Sequence, residues 1–136
     1  MNIALLAHDG KKELMVQFCT AYCGILAEHD IIATSATGKL VAEATGLPIQ
    51  LYMSGALGGA QQIGARIAYN EIDLVMFFSD PAFTEGAAAV SEICRLCDMH
   101  SVPFASNVAT AEVLVQGLRR GDFAWRDIIN PKNKKK

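Results

Sequence analysis

Ile72-Asp73-Leu74-Val75-Met76-Phe77-Phe78 is the most hydrophobic run of the chain, and it predicts a strand at the centre of a sheet. Working outward from it, four more short apolar runs are separated by helical spacing. Asn2–Ala7 is an unbroken apolar stretch of the kind covered on both faces. Lys11 to His29 follows, with Leu14, Phe18, Ala21, Tyr22 and Ile25 on one helical stripe. Ile31 to Thr34 is a second strand, then a short helix ends near Gly46, and Pro48 stops it. Gln50 to Met53 is a third strand, and a glycine-rich turn leads into a helix from about Ala60 to Asn70. Beyond the central run, Ser79 to Gly86 reads as a loop and Ala87 to His100 as a helix. Val102 to Ala105 is a fifth strand, and a last helix spans about Ala109 to Leu118.

Strands alternating with helices at this spacing predict an α/β fold: one doubly wound domain over 1–136, its five-stranded sheet mainly parallel, with helices on both faces. The residues from about 121 to 136 form a C-terminal tail. Its Trp125, Ile128 and Ile129 suit packing on the domain edge or on a neighbouring subunit.

Bulk properties exclude several classes. A formal net charge of -2 offers no basic footprint for nucleic acid, and the terminal lysines read as a solvated tail. No apolar stretch approaches the roughly 18 residues that span a bilayer. The first residues run straight into a strand pattern rather than a secretory leader, so a cytoplasmic location is expected. Of the four cysteines, Cys19 and Cys23 share one predicted helix face and Cys94 and Cys97 another. Core packing is expected of them rather than zinc, since no ligand-bearing loop accompanies either pair.

In a parallel sheet, ligands bind beyond the carboxyl ends of the strands. The rim loops are then His8–Lys12, Thr34–Gly38, Ser54–Gln62, Ser79–Gly86 and Ser106–Asn107. Thr34-Ser35-Ala36-Thr37-Gly38 supplies hydroxyls and a glycine at a helix start, where free N–H groups and the helix dipole favour an anion. Ser54-Gly55 with Gly58-Gly59 repeats the arrangement, and Lys12 adds a positive charge. Together these predict a small phosphorylated ligand. His8 and Asp9 end the first strand and point to the same cleft. Asp80 can orient His8, accept a proton, or cap the loop before Pro81, while Glu85 reads first as a solvated loop carboxylate. His29 and His100, at helix ends, are expected to be structural, with an imidazolium there favouring the dipole.

The ordered blocks are more specific than any one of these signals. They are His8-Asp9 with Lys12, Ala33-Thr34-x-x-Thr37-Gly38, Ser54-Gly55-x-x-Gly58-Gly59-x-Gln61-Gln62, Phe77-Phe78-x-Asp80-Pro81 and Asn107-Val108-Ala109-Thr110-Ala111. In this order they resemble the methylglyoxal synthase family along nearly the whole chain. The resemblance implies a homo-hexameric lyase that converts dihydroxyacetone phosphate to methylglyoxal and inorganic phosphate, without metal or organic cofactor. Proton abstraction beside the carbonyl gives an enediolate, which expels phosphate. It also implies that Lys12, Thr34, Thr37, Gly38, Ser54 and Gly55 hold phosphate. His8 would face the enediolate oxygens, with Asp9 and Asp80 in support.

The chain departs from the family pattern at its chemical centre. The family places the general-base aspartate between Gly-Gly and Gln-Gln, where this chain has Ala60. A Pro-His-x-Pro-Asp stretch with a second catalytic histidine is replaced by Ala82-Phe83-Thr84-Glu85-Gly86-Ala87-Ala88-Ala89. Ser35, Ala36 and Ala56 stand where the pattern has Gly, Thr and Pro. Most rim departures run toward smaller, plainer side chains, the mark of a pocket emptied selectively, by engineering or by disabling. The expectation is a synthase scaffold whose native catalysis is lost or strongly impaired. The alternatives are a repurposed pocket using Glu85, His8 or Asp80, and a non-catalytic module that binds a phosphorylated metabolite.

Overall fold

In the computed structural model, residues 1–52 and 58–129 are described. The strands are β1 (Asn2–Ala7), β2 (Asp30–Thr34), β3 (Ile49–Tyr52), β4 (Leu74–Phe78) and β5 (Phe104–Ala105). The helices are α1 (Lys12–Ala21), α2 (Cys23–Leu26), α3 (Ser35–Thr45), α4 (Gly59–Ala68), α5 (Ala87–His100), α6 (Val108–Arg120) and α7 (Arg126–Ile129). All strand pairs are parallel, in the order β3-β2-β1-β4-β5. The chain winds outward from β1 to β3, then crosses back to lay β4 and β5 on the other side. β1, rather than the more hydrophobic β4, is therefore the middle strand.

Alternate side chains along each strand enter two separate cores. Ile3, Leu5, Ile31, Ala33, Leu74, Met76 and Phe78 pack under α1, α3 and α6 with Met15, Phe18, Val41 and Val115. Ala4, Leu6, Ile32, Val75 and Phe77 face the other way, toward Ile63 and Ile67 of α4 and Ile93 and Cys97 of α5. The close fit of α3 explains Gly38: a Cβ there would fall 2.3 Å from Leu51 Cδ2 and 3.1 Å from Ala33 Cβ. No helix among the described residues is long and apolar enough to cross a membrane.

Several boundaries differ from the sequence expectation. Lys11–His29 is two helices, because Tyr22 adopts φ -110°, ψ 23° and its N–H closes on Phe18 O. Cys23 thus opens α2 instead of continuing α1, and it packs against the same core as Cys19. Cys19 and Cys97 are buried, and burial raises both thiols to about 12. The run Val102–Ala105 yields a two-residue strand, since Pro103 has no N–H to give and only its carbonyl joins the ladder, to Val75 N at 3.0 Å.

Ile72 and Asp73 precede β4 rather than belonging to it. Asp73 is fully buried. Its Oδ2 accepts the Asn2 N–H at 2.9 Å and its Oδ1 the Arg126 Nε–H at 3.2 Å. Arg126, equally buried, also donates to Ser101 O at 2.5 Å and Ile72 O at 3.1 Å. Arg126 anchors α7 inside the domain, leaving Trp125, Ile128 and Ile129 exposed.

His29 is not the dipole-stabilised imidazolium that its place near a helix end suggested. Burial, then the Met1 amino group 3.2 Å from its Nδ1, push its pKa below the ordinary 6.5, against the opposite pull of Glu28, Asp30 and Asp73. Between that lowered value and 6.5 the unfolded chain binds more protons than the folded one. This contribution to stability is complete above pH 6.5 and is lost as pH falls through the folded value. His29→Gln is expected to flatten the acid side of a melting-temperature profile; an unchanged acid slope would show that His29 does not contribute.

Candidate functional site

The order reversal between β1 and β4 places their carboxyl ends side by side, and both run into candidate residues. His8 follows β1 and donates its backbone N–H to Phe78 O at 3.1 Å. Its ring accepts the backbone N–H of Asp80 at Nδ1, 2.9 Å away. A neutral ring with Nδ1 occupied as acceptor carries its proton on Nε2, so His8 is arranged to donate. Its ring meets Phe77 and Phe83 edge-on, with centroids 5.2 and 5.1 Å away.

Asp80 thus orients His8, though through its main chain. Its carboxylate instead caps the following turn, Oδ1 accepting from Ala82 N at 3.0 Å. Oδ2 crowds the β1 turn, where a Cβ on Gly10 would fall 2.4 Å away. Asp9 is exposed and ion-paired with Lys12, whose hydrogen bond and charge hold its carboxyl below the usual range. That bond uses one of the three N–H donors of the Lys12 ammonium. Glu85 is exposed, in a single turn of 3-10 helix over Thr84–Gly86.

On the neighbouring strand, β2 delivers Thr34 as the N-cap of α3. It has the extended backbone of a cap but makes no side-chain capping bond. One turn on, Thr37 is 1% exposed and its Oγ1 has no hydrogen-bond partner. A buried hydroxyl without a partner costs roughly 1–3 kcal/mol, so the start of α3 holds donor capacity that the protein itself does not use. Gly38 sits just behind, where the packing of α3 on the sheet demands close approach. Ser54 and Gly55 lie outside the described residues. At the far edge, Asn107 caps α6 by accepting from Thr110 N at 3.0 Å.

Ala60 is in the first turn of α4, 7% exposed, in the same buried cluster as Phe77, whose ring touches His8. It also lines an apolar groove of about 300 Å³ between α4 and α5, with Gly64, Ala65, Ala89, Ile93 and Leu96. Glu92 borders this groove, but its carboxylate is taken by two bonds from Arg95, at 3.0 and 2.6 Å. A larger cavity, about 500 Å³, opens between His29, Asp30, Gln50 and Arg66, at the amino ends of β2 and β3 and away from this rim. Two features escaped sequence reasoning. The main-chain link from Asp80 to His8 leaves no trace in residue types, and Gly86 as a neighbour of the imidazole was missed because it reads as an ordinary loop residue.

Fold and rim together define an α/β protein with its candidate site residues at the carboxyl end of a parallel sheet. The family model described as the MGS-like domain matches residues 14–106. Methylglyoxal synthase of Caldicellulosiruptor saccharolyticus is 54% identical over 136 residues, covering 99% of this chain and 96% of that protein. That of Bacillus subtilis is 53% identical over 130 residues, 95% of each. The crystal structure of methylglyoxal synthase from Elizabethkingia anophelis NUHP1 superposes with a TM-score of 0.77 at 42% identity, over 84% of this chain and 76% of that one. The chain belongs to the methylglyoxal synthase family.

Proposed function

We propose that this protein binds a small phosphorylated metabolite at the start of α3 and forms methylglyoxal from dihydroxyacetone phosphate feebly at most. The observation that carries the first half is the partnerless buried hydroxyl of Thr37 beside the uncapped N-terminus of α3. Free N–H groups, the helix dipole and a hydroxyl donor together suit phosphate oxygens. Lys12 adds charge on exchanging Asp9 for the ligand, and the Nε2–H of His8 is the donor for an oxygen next to the phosphate-bearing carbon. Ser54 and Gly55 complete the anion contacts in this reading.

The second half rests on Ala60. Enediolate formation needs a group that takes the proton beside the carbonyl, and a methyl group cannot. Absence of a general base lowers a rate by about 10²- to 10⁴-fold. Glu92, on the same groove, is committed to Arg95. The same rim serves a non-catalytic binding module equally well, and tight binding without turnover would select that version. The exposed Trp125, Ile128 and Ile129 support a homo-oligomer, a hexamer by family resemblance, which light scattering would count.

Titration with inorganic phosphate and phosphoglycolate, beside a methylglyoxal assay, tests both halves. Thr37→Val is the sharpest variant, because it removes a hydroxyl that the empty protein does not use. Its melting temperature is expected to rise while phosphoglycolate affinity falls about tenfold, the worth of one hydrogen bond to a charged group. A variant that melts lower and binds unchanged would sink the anion site; turnover by the unaltered protein at ordinary enzyme rates would sink the catalytic half.

A further inference from the structure

We infer that the 81–86 turn is an aromatic latch over His8: Phe83 and Gly86 close on the imidazole, and the turn must swing aside before a ligand can reach Nε2. His8 stands at the rim where a ligand has to arrive, yet it is only 9% exposed. Phe77, on β4, supports the ring from the core and is itself 4% exposed. The opposite edge is covered by the turn. The Phe83 ring stands nearly perpendicular to the imidazole, at 83° and 5.1 Å between centroids. Gly86 presses closer still, since a Cβ built on it would fall 2.5 Å from His8 Nε2 and 2.6 Å from Phe83 Cδ2. Only a residue without a side chain lets the turn lie down on the histidine.

The latch differs from the rest of the rim in how it is held. These hydrogen bonds stay local and hang it from Asp80 at its base: Ala82 N to Asp80 Oδ1 at 3.0 Å, Phe83 N to Asp80 O at 3.0 Å, and Gly86 N to Phe83 O at 3.1 Å. Residues 81–85 are all exposed, and Phe83 is 46% exposed although one edge meets the imidazole. A locally bonded segment with little buried surface opens without disturbing the sheet beneath it. An edge-to-face aromatic contact biases such an opening by roughly two- to tenfold, enough to favour closure and too little to prevent exchange. Closed, the turn holds the ring with Nδ1 on the Asp80 N–H and keeps water from Nε2. Open, it presents Nε2–H to an oxygen acceptor of the ligand. Phe83 is a positioning residue in this account, since it acts through His8. The closure stands on the geometry alone, while its part in ligand entry rests on the anion-site reading above.

The test is the rate at which diethyl pyrocarbonate carbethoxylates each histidine of the full chain, mapped by peptide mass, in the wild type, Phe83→Ala, Phe83→Tyr and Gly86→Ala. Phe83→Ala is expected to speed modification of His8 about fivefold, within the range an aromatic edge contact sets, and Phe83→Tyr to restore the slow rate. Gly86→Ala, which cannot close, is expected to match Phe83→Ala. His29 and His100 serve as internal controls and keep their rates. An unchanged His8 rate in Phe83→Ala overturns the latch, and so does a parallel rise at all three histidines, which would report general loosening. Phosphoglycolate titrated against the same proteins separates the two claims. If His8 is unmasked but neither wild type nor Phe83→Ala binds the ligand, the latch stands and the anion-site reading falls.

Discussion

Ala60→Asp is expected to raise methylglyoxal formation from dihydroxyacetone phosphate by about a hundredfold, the lower end of what a positioned general base contributes. The position is ready for a carboxylate. It lies in the first turn of α4, where the helix dipole favours negative charge, and in the cluster that contains Phe77, the ring supporting His8. The groove between α4 and α5 gives the longer side chain space, and its apolar lining raises the basicity of a carboxylate placed there. The gain stops near the lower end because the turn holding Phe83 and Gly86 offers no second imidazole. Ala60→Asn, of equal size without a basic oxygen, is the control and is expected to gain nothing. Equal gains in both variants, or none in either, would show that the missing base is not what limits turnover.

The largest effect on stability is expected at the other end of the sheet. Arg126→Met should cost about 3–5 kcal/mol in urea unfolding, a large share of the 5–15 kcal/mol typical of a domain. The loss comes from leaving the Asp73 carboxylate fully buried without the guanidinium, not from the worth of the pair itself. Asp73→Leu combined with Arg126→Met removes both charges and is expected to recover most of the loss. It leaves the Asn2 N–H to find another acceptor, and Ser101 O and Ile72 O to find other donors. A single variant as stable as the wild type would mean that water reaches Asp73.

Much of this architecture is written in apolar runs and helical spacing, because burial on two faces leaves a strand few polar choices. Asn2–Ala7 and Ala87–His100 match their elements residue for residue for that reason. Where polar demands override hydrophobicity, pattern reading fails. Asp73 inside an apolar run signals a buried charge in need of a partner, yet nothing local shows that the partner comes from the C-terminal tail. Tyr22 interrupts a helix through its own backbone angles, and Gly24 just beyond it carries too weak a signal to place the break. At the site, Thr37 was visible as a hydroxyl at a helix start, while its lack of a partner appears only once α3 is packed on the sheet. His8 was visible too, but the group that orients it is an amide of the main chain, which every residue except proline possesses. The significance of Ala60 came from family resemblance, since an alanine in an amphipathic helix carries no chemical signal of its own.

The bond between Asp73 and Arg126 also sets a schedule for biosynthesis. The carboxylate leaves the ribosome 53 residues ahead of the guanidinium that neutralises it. Until that arginine emerges, β1 and β4 would close their amino ends around an acid that still awaits its guanidinium. The strands that precede Arg126 are therefore expected to reach their final packing only once it has emerged, and a chain stopped just before it should lose stability on the scale expected for Arg126→Met.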